Sequence, residues 1–249
     1  MEHEEAKKQT REILNELLTY PYAQIFDIAP AEQQLKNIYQ NSENAIEPLI
    51  GLMFANLMLG NRSTAVGLGE KIWGIGGELS PFFELIYSDC LLNIGQIEKA
   101  GILLQSRLNN IGENLTHFYS VMVKYALLSG NLALLKRIGE YPDVYEQEAT
   151  LFDFASNHAF NLSVKDYRAI LKIIADNVGQ YLCSVEYVMY KEKGVELVLY
   201  TSESAEQNNV LLEKLFEKID GYYLSMQQPP LTDFFIKILN IKLHPAWLG

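Results

Sequence analysis

Gly60, Gly95 and Gly130 stand 35 residues apart, twice over. A side-chain amide follows each one (Asn61, Gln96, Asn131), and a leucine stands three positions before it (Leu57, Leu92, Leu127). Five positions after each glycine come Ala65, Ala100 and Leu135; eight after come Leu68, Leu103 and Ile138. Eight before are Leu52, Tyr87 and Met122, so six columns agree in one frame. Such a chain is confined to a repeated helix–turn–helix. An apolar helix runs up to each glycine, which closes it in a left-handed conformation free of Cβ penalty. A second helix starts two or three residues later, and the small Ala65 and Ala100 allow it a close approach. One hairpin cannot bury its own apolar face, so neighbouring hairpins must stack.

These columns resemble the tetratricopeptide (TPR) family, whose repeat of about 34 residues has a glycine turn between two helices and a small residue five places later. The likeness covers about Glu47 to Asp143, three repeats or roughly two-fifths of the chain. The family's tryptophan, first glycine and closing proline are mostly absent, and Gly67 and Gly69 fall inside a helix. The resemblance implies a concave surface lined by the first helix of each hairpin. The implied positions are Glu47, Ile50, Phe54 and Leu57, then Phe82, Leu85, Asp89 and Leu92, then His117, Ser120, Lys124 and Leu127. Some family members clamp a peptide carboxylate here with Lys, Asn and Arg, and only Lys124 fits that chemistry. The first half of the surface is apolar and suits an apolar helix or extended segment. Alternatively, the N-terminal helix or the C-terminal unit of the same chain fills it.

Elsewhere the hydrophobic period assigns the elements. Ile13, Leu14, Leu17 and Leu18 form the apolar face of a helix from about Glu4 to Thr19, ended by Tyr20-Pro21-Tyr22. A short second helix is expected from Pro30 or Ala31 to Tyr39, then a turn at Asn41-Ser42-Glu43-Asn44. The repeat frame is lost after Tyr141-Pro142. A helix over 146–160 and another capped by Ser163 and Asp166, with Tyr167, Ile170, Leu171 and Ile174 on one face, are expected next. The period changes to two near Tyr181. Val185, Tyr187 and Met189, then Val195, Leu197 and Leu199, alternate around Lys191-Glu192-Lys193-Gly194 as a β-hairpin. Ser202 or Ser204 caps a helix bearing Leu212, Leu215, Phe216 and Ile219, ended by Asp220-Gly221. Tyr222 to Met226 is expected as a third strand, before Gln227-Gln228-Pro229-Pro230. The segment 232–243 reads equally as helix or strand. The expected fold is mainly α: TPR-like antiparallel hairpins (an α-solenoid) in a helical domain over 1–180, then a small α+β domain over 181–249.

Composition narrows the function. With 20 basic against 31 acidic residues and a net charge of −11, the chain lacks the basic density that neutralises phosphates, so nucleic acid is not an expected partner. No stretch reaches the ~20 apolar residues that span a bilayer, so no membrane is expected. The N-terminus is charged from its second residue and does not read as a signal peptide, so a cytoplasmic protein is expected and Asn61, Asn114 and Asn161 are chance glycosylation patterns. Cys90 and Cys183 read as isolated buried thiols. His3, His117, His158 and His244 have no metal-ligand spacing, and no metal or cofactor is expected. No P-loop or Gly-x-Ser-x-Gly elbow occurs. Gly67-Leu68-Gly69 and Gly74-Ile75-Gly76-Gly77 lack the strand–turn–helix setting of a dinucleotide loop. Tyr187, Tyr190, Tyr200, Tyr222 and Tyr223 suit either strand packing or a subunit contact, so a homodimer through the C-terminal unit enters as a partner alternative. The expected function is a protein-interaction module, adaptor, chaperone-like or regulatory, holding a partner peptide or helix. The alternative is an enzyme or small-molecule sensor with a site in the cleft between the repeats and the C-terminal unit.

Overall fold

The structure, a computed structural model, describes residues 1–19, 25–42, 45–109, 111–140, 164–190, 194–226 and 234–240. Among these the fold is mainly helical with a small sheet near the C-terminus. The helix expected over 146–160, the segments 20–22 and 227–230, the hairpin turn at 191–193 and Ser163 lie outside the described residues.

Two N-terminal helices, α1 (His3–Thr19) and α2 (Ile25–Asn41), pack on each other and on α3 (Glu47–Met58). The helix α2 starts earlier than expected and carries Pro30 inside it. Proline removes one hydrogen bond there, yet Ile28, Ala31, Leu35 and Ile38 keep a single buried face running past it. Packing on α1 and α3 outweighs the local break.

Three hairpins follow: α3 with α4 (Arg62–Ile75), α5 (Pro81–Asn93) with α6 (Ile97–Asn109), and α7 (Ile111–Ser129) with α8 (Leu132–Gly139). Gly60, Gly95 and Gly130 adopt φ of 70°, 80° and 66°. Each closes its helix with the same pair of bonds. Gly60 N donates to Leu57 O and Asn61 N to Asn56 O; Gly95 and Gln96 donate to Leu92 and Leu91, and Gly130 and Asn131 to Leu127 and Ala126. This double bond set is the Schellman motif. Asn131 also caps α8, its Oδ1 accepting from Leu134 N at 3.1 Å.

The first helices of the hairpins lie side by side, α3 against α5 and α5 against α7. A Cβ at Gly69 would meet Met53 Cε at 3.0 Å, and Gly69 O accepts a bond from Tyr87 Oη at 2.9 Å. The helical cost of that glycine is therefore offset by close packing of α4 on α3 and α5. At Gly95, by contrast, a Cβ would meet nothing within 4 Å. Replacement by alanine isolates the left-handed backbone cost, about 1 kcal/mol. A urea midpoint unchanged or raised in Gly95→Ala would sink that reading of the cap.

The C-terminal part begins with α9 (Val164–Val178) and a 3₁₀ turn (Gly179–Tyr181). Strands β1 (Leu182–Tyr190) and β2 (Gly194–Thr201) pair antiparallel, as the alternation predicts. The next helix, α10 (Ala205–Met226), is closed at its start by Ser204: its Oγ accepts from Gln207 N at 3.2 Å and its N donates to Gln207 Oε1 at 3.1 Å. Two expectations fail here. The helix does not stop at Gly221, and Tyr222 to Met226 is its last turn rather than a strand. Leu215, Ile219 and Tyr223 stay buried at four-residue spacing, and that burial exceeds the ~1 kcal/mol a mid-helix glycine costs. Among the described residues the third strand is instead β3 (Phe234–Asn240), the described part of the ambiguous segment, which pairs parallel to β2 from Val195↔Phe234 to Thr201↔Asn240.

Apolar side chains of α1 to α8 form one buried cluster. A second joins Tyr167, Ile170, Ile174 and Val178 of α9 to β1, β2 and α10, with Leu128 and Tyr187 touching both. The core thus changes hands at α9, ahead of the alternation that marks the strands. Among the described residues no helix is long and apolar enough to cross a membrane.

Candidate functional site: two cavities beside one strand

Strand β1 lies against α5 and α3, so the C-terminal unit covers part of the surface of those two helices. Asn93 on α5 holds it there. Its Oδ1 accepts from the backbone N of Val185 at 3.1 Å and from Lys124 Nζ at 3.0 Å, while its Nδ2 donates to Asp89 Oδ2 at 3.0 Å. Lys124 Nζ also donates to Asp89 Oδ1 at 2.6 Å. Both oxygens of Asp89 are thereby engaged, and an otherwise open edge N–H of the sheet is paired.

What remains open is a cleft of about 380 Å³. Phe54 of α3, Leu85 and Asp89 of α5, Ser120 and Lys124 of α7, Leu18 of α1, and Glu186 and Tyr187 of β1 line it. Five of the residues expected on a groove, Phe54, Leu85, Asp89, Ser120 and Lys124, are brought together in this way. Ile50, Leu57, Leu92 and Leu127 are not groove residues. They are 0%, 3%, 0% and 1% exposed, respectively, in the core. These helices are covered on more than one side, since α1 and α2 pack on α3 and β1 packs on α5 and α3. Phe82 packs edge-on to Phe83 at 5.2 Å and lies under the Arg11 guanidinium at 5.0 Å, so α1 covers it in part. Glu47 is buried 3.5 Å from His3 Nε2. His117 belongs to α7, but its side chain lies outside the described residues.

A second cavity, of about 270 Å³, lies between the hairpins and the C-terminal unit. Leu92, Ile94 and Ile97 form one wall, Ile174 and Val178 of α9 another, and Val185 and Leu199 of the sheet a third. Arg62 is the one charged side chain among the described residues that line it. Its Nε donates to Leu182 O at 2.8 Å; its Nη2 donates to Gly179 O at 2.8 Å and to Ile94 O at 3.3 Å. Those carbonyls lie at the end of α5, in the 3₁₀ turn after α9 and at the start of β1. Burial pulls the Arg62 guanidinium below its ordinary value.

Arg62, Asn93, Glu186 and Tyr187 were not among the expected site residues. Arg62 does carry a signal, because a positive charge in a helix's first turn opposes the macrodipole and needs other partners. Of the tyrosines read as strand packing or a subunit contact, Tyr187 and Tyr222 are partly buried, and the Tyr190 side chain lies outside the described residues. Tyr200 and Tyr223 are buried, and burial raises both hydroxyls above the ordinary range. On α10, Val210, Phe216 and Leu224 are exposed. Cys90 and Cys183 are buried and unbridged, and no group of three or more His, Cys, Asp or Glu among the described residues converges to hold a metal ion. No family model matches the chain, and neither a curated protein nor a solved structure shows significant similarity to it.

Proposed function

We propose that the chain is a cytoplasmic protein-interaction module, adaptor, chaperone-like or regulatory, whose TPR-like hairpins stack as a short α-solenoid. Its partner segment enters the cleft between α1, α3, α5, α7 and β1. The observation that supports this reading is the pairing of apolar walls, Phe54 and Leu85, with a fixed charge set inside an open cleft. Asp89 and Glu186 outweigh Lys124 there, and the whole chain carries −11. Charge complementarity therefore favours a short segment with apolar anchors and basic residues. The exposed apolar residues of α10 support a homodimer through that helix as a separate contact.

Each apolar anchor seated in the cleft contributes about 1.5–3 kcal/mol before ordering costs. Selection of peptides from a random display library against the full chain is expected to enrich sequences combining Leu or Phe with Lys or Arg. Phe54→Ala and Leu85→Ala should each weaken the selected peptides about tenfold or more, or 1.4 kcal/mol and above. Selected binders indifferent to both substitutions would remove the cleft as the partner site, as would a selection that returns none.

A further inference from the structure

We propose that the cavity between the hairpins and the C-terminal unit binds a small apolar molecule ending in a carboxylate, with Arg62 as its counter-ion. This site is separate from the partner cleft and does not depend on it. Its walls are aliphatic apart from Arg62, and its 270 Å³ lies just under the ~300–1,000 Å³ usual for ligand pockets. Protein interiors are close-packed, and a void of this size deprives its lining of contacts that an apolar occupant restores.

The charge points to the ligand's polar end. Arg62 has no carboxylate partner among the described residues; its three acceptors are neutral carbonyls. Those bonds use Nε and both protons of Nη2, and no bond engages Nη1 among the described residues. A half-buried cation without a counter-charge is disfavoured by desolvation, which an anion in the cavity would relieve. The protons left on Nη1 can hold one oxygen of a carboxylate in a charge-assisted hydrogen bond. A phosphate is a poorer match, since it brings a second charge and the walls supply no further donor. At roughly 30 Å³ per water-sized group, the space suits roughly nine such groups, close to the ten non-hydrogen atoms of an eight-carbon acid.

The full chain, with its Ile, Leu and Val methyls labelled for NMR, is titrated with octanoate, octan-1-ol and acetate. Octanoate should bind saturably at one site, at least tenfold tighter than octan-1-ol, with acetate showing no saturation. The shifted methyls should be those of Ile174, Val178, Val185 and Leu199, with Leu85 unmoved. Leu171→Phe, which narrows the cavity and leaves Arg62 in place, should weaken octanoate tenfold or more. Arg62→Lys should lower the preference for octanoate over octan-1-ol wherever the variant remains folded by its amide spectrum. Absence of saturable octanoate binding to the unaltered chain overturns the proposal. So does equal affinity for octan-1-ol, or a shift pattern centred on Leu85.

Discussion

Arg62→Ala is expected to destabilise the protein by about 3 kcal/mol and to loosen the C-terminal unit before the N-terminal helices. A hydrogen bond from a charged group contributes about 1.5–3 kcal/mol, and three sharing one side chain do not add in full. Removing the guanidinium also leaves the carbonyls of Ile94, Gly179 and Leu182 without the donor that joins them. Urea denaturation should show the loss as a lower midpoint at similar slope. Arg62→Lys should recover less than half of it, because one ammonium cannot serve the geometry that a planar fork serves. Hydrogen exchange locates the effect: amides of β1 and β2 should lose protection well before those of α1 to α3. An unchanged midpoint would show that Arg62 does not tie the two parts together.

Tyr167 gives the second large effect. Its ring is fully buried among Ile170, Ile174 and the sheet, and its hydroxyl donates to Leu127 O at 2.9 Å near the end of α7. Tyr167→Ala should cost about 3–5 kcal/mol, the range for deleting a buried aromatic ring. Tyr167→Phe keeps the ring and removes only the donor, so about 1 kcal/mol is expected. Thermal melts of both variants measure the split. A phenylalanine as damaging as alanine would place the energy in the hydroxyl and contradict the packing argument. Arg62 and Tyr167 use the same device, a side chain that reaches a carbonyl at or beside a helix end across the boundary between the two clusters.

The parts of this fold legible in the sequence are those with a local cause. A left-handed cap demands glycine wherever it occurs, so Gly60, Gly95 and Gly130 mark three hairpins without any knowledge of their neighbours. The alternation from Val185 to Leu199 likewise follows from the two-residue period of a strand. The failures share a different cause. Pro30 and Gly221 argue for breaks that tertiary burial overrides, in the first case through Ala31 and Leu35 and in the second through Leu215 and Tyr223. The misplacement of Ile50, Leu57, Leu92 and Leu127 has the same origin. Helical spacing shows which residues share a face, but not that α1, α2 and β1 return to cover it. Asp89 and Lys124, 35 residues apart, meet because the repeat register sets α5 beside α7, a relation that the spacing of the glycines already contains.

Strand β1 has the aliphatic cavity against Leu182 and Val185 and the larger cleft against Glu186 and Tyr187. It is pinned between them by the Val185–Asn93 bond. A wall common to two sites makes their occupancies thermodynamically linked whenever either occupant displaces it. The factor by which an acid in the cavity changes the affinity of a peptide in the cleft must then equal the factor by which the peptide changes that of the acid.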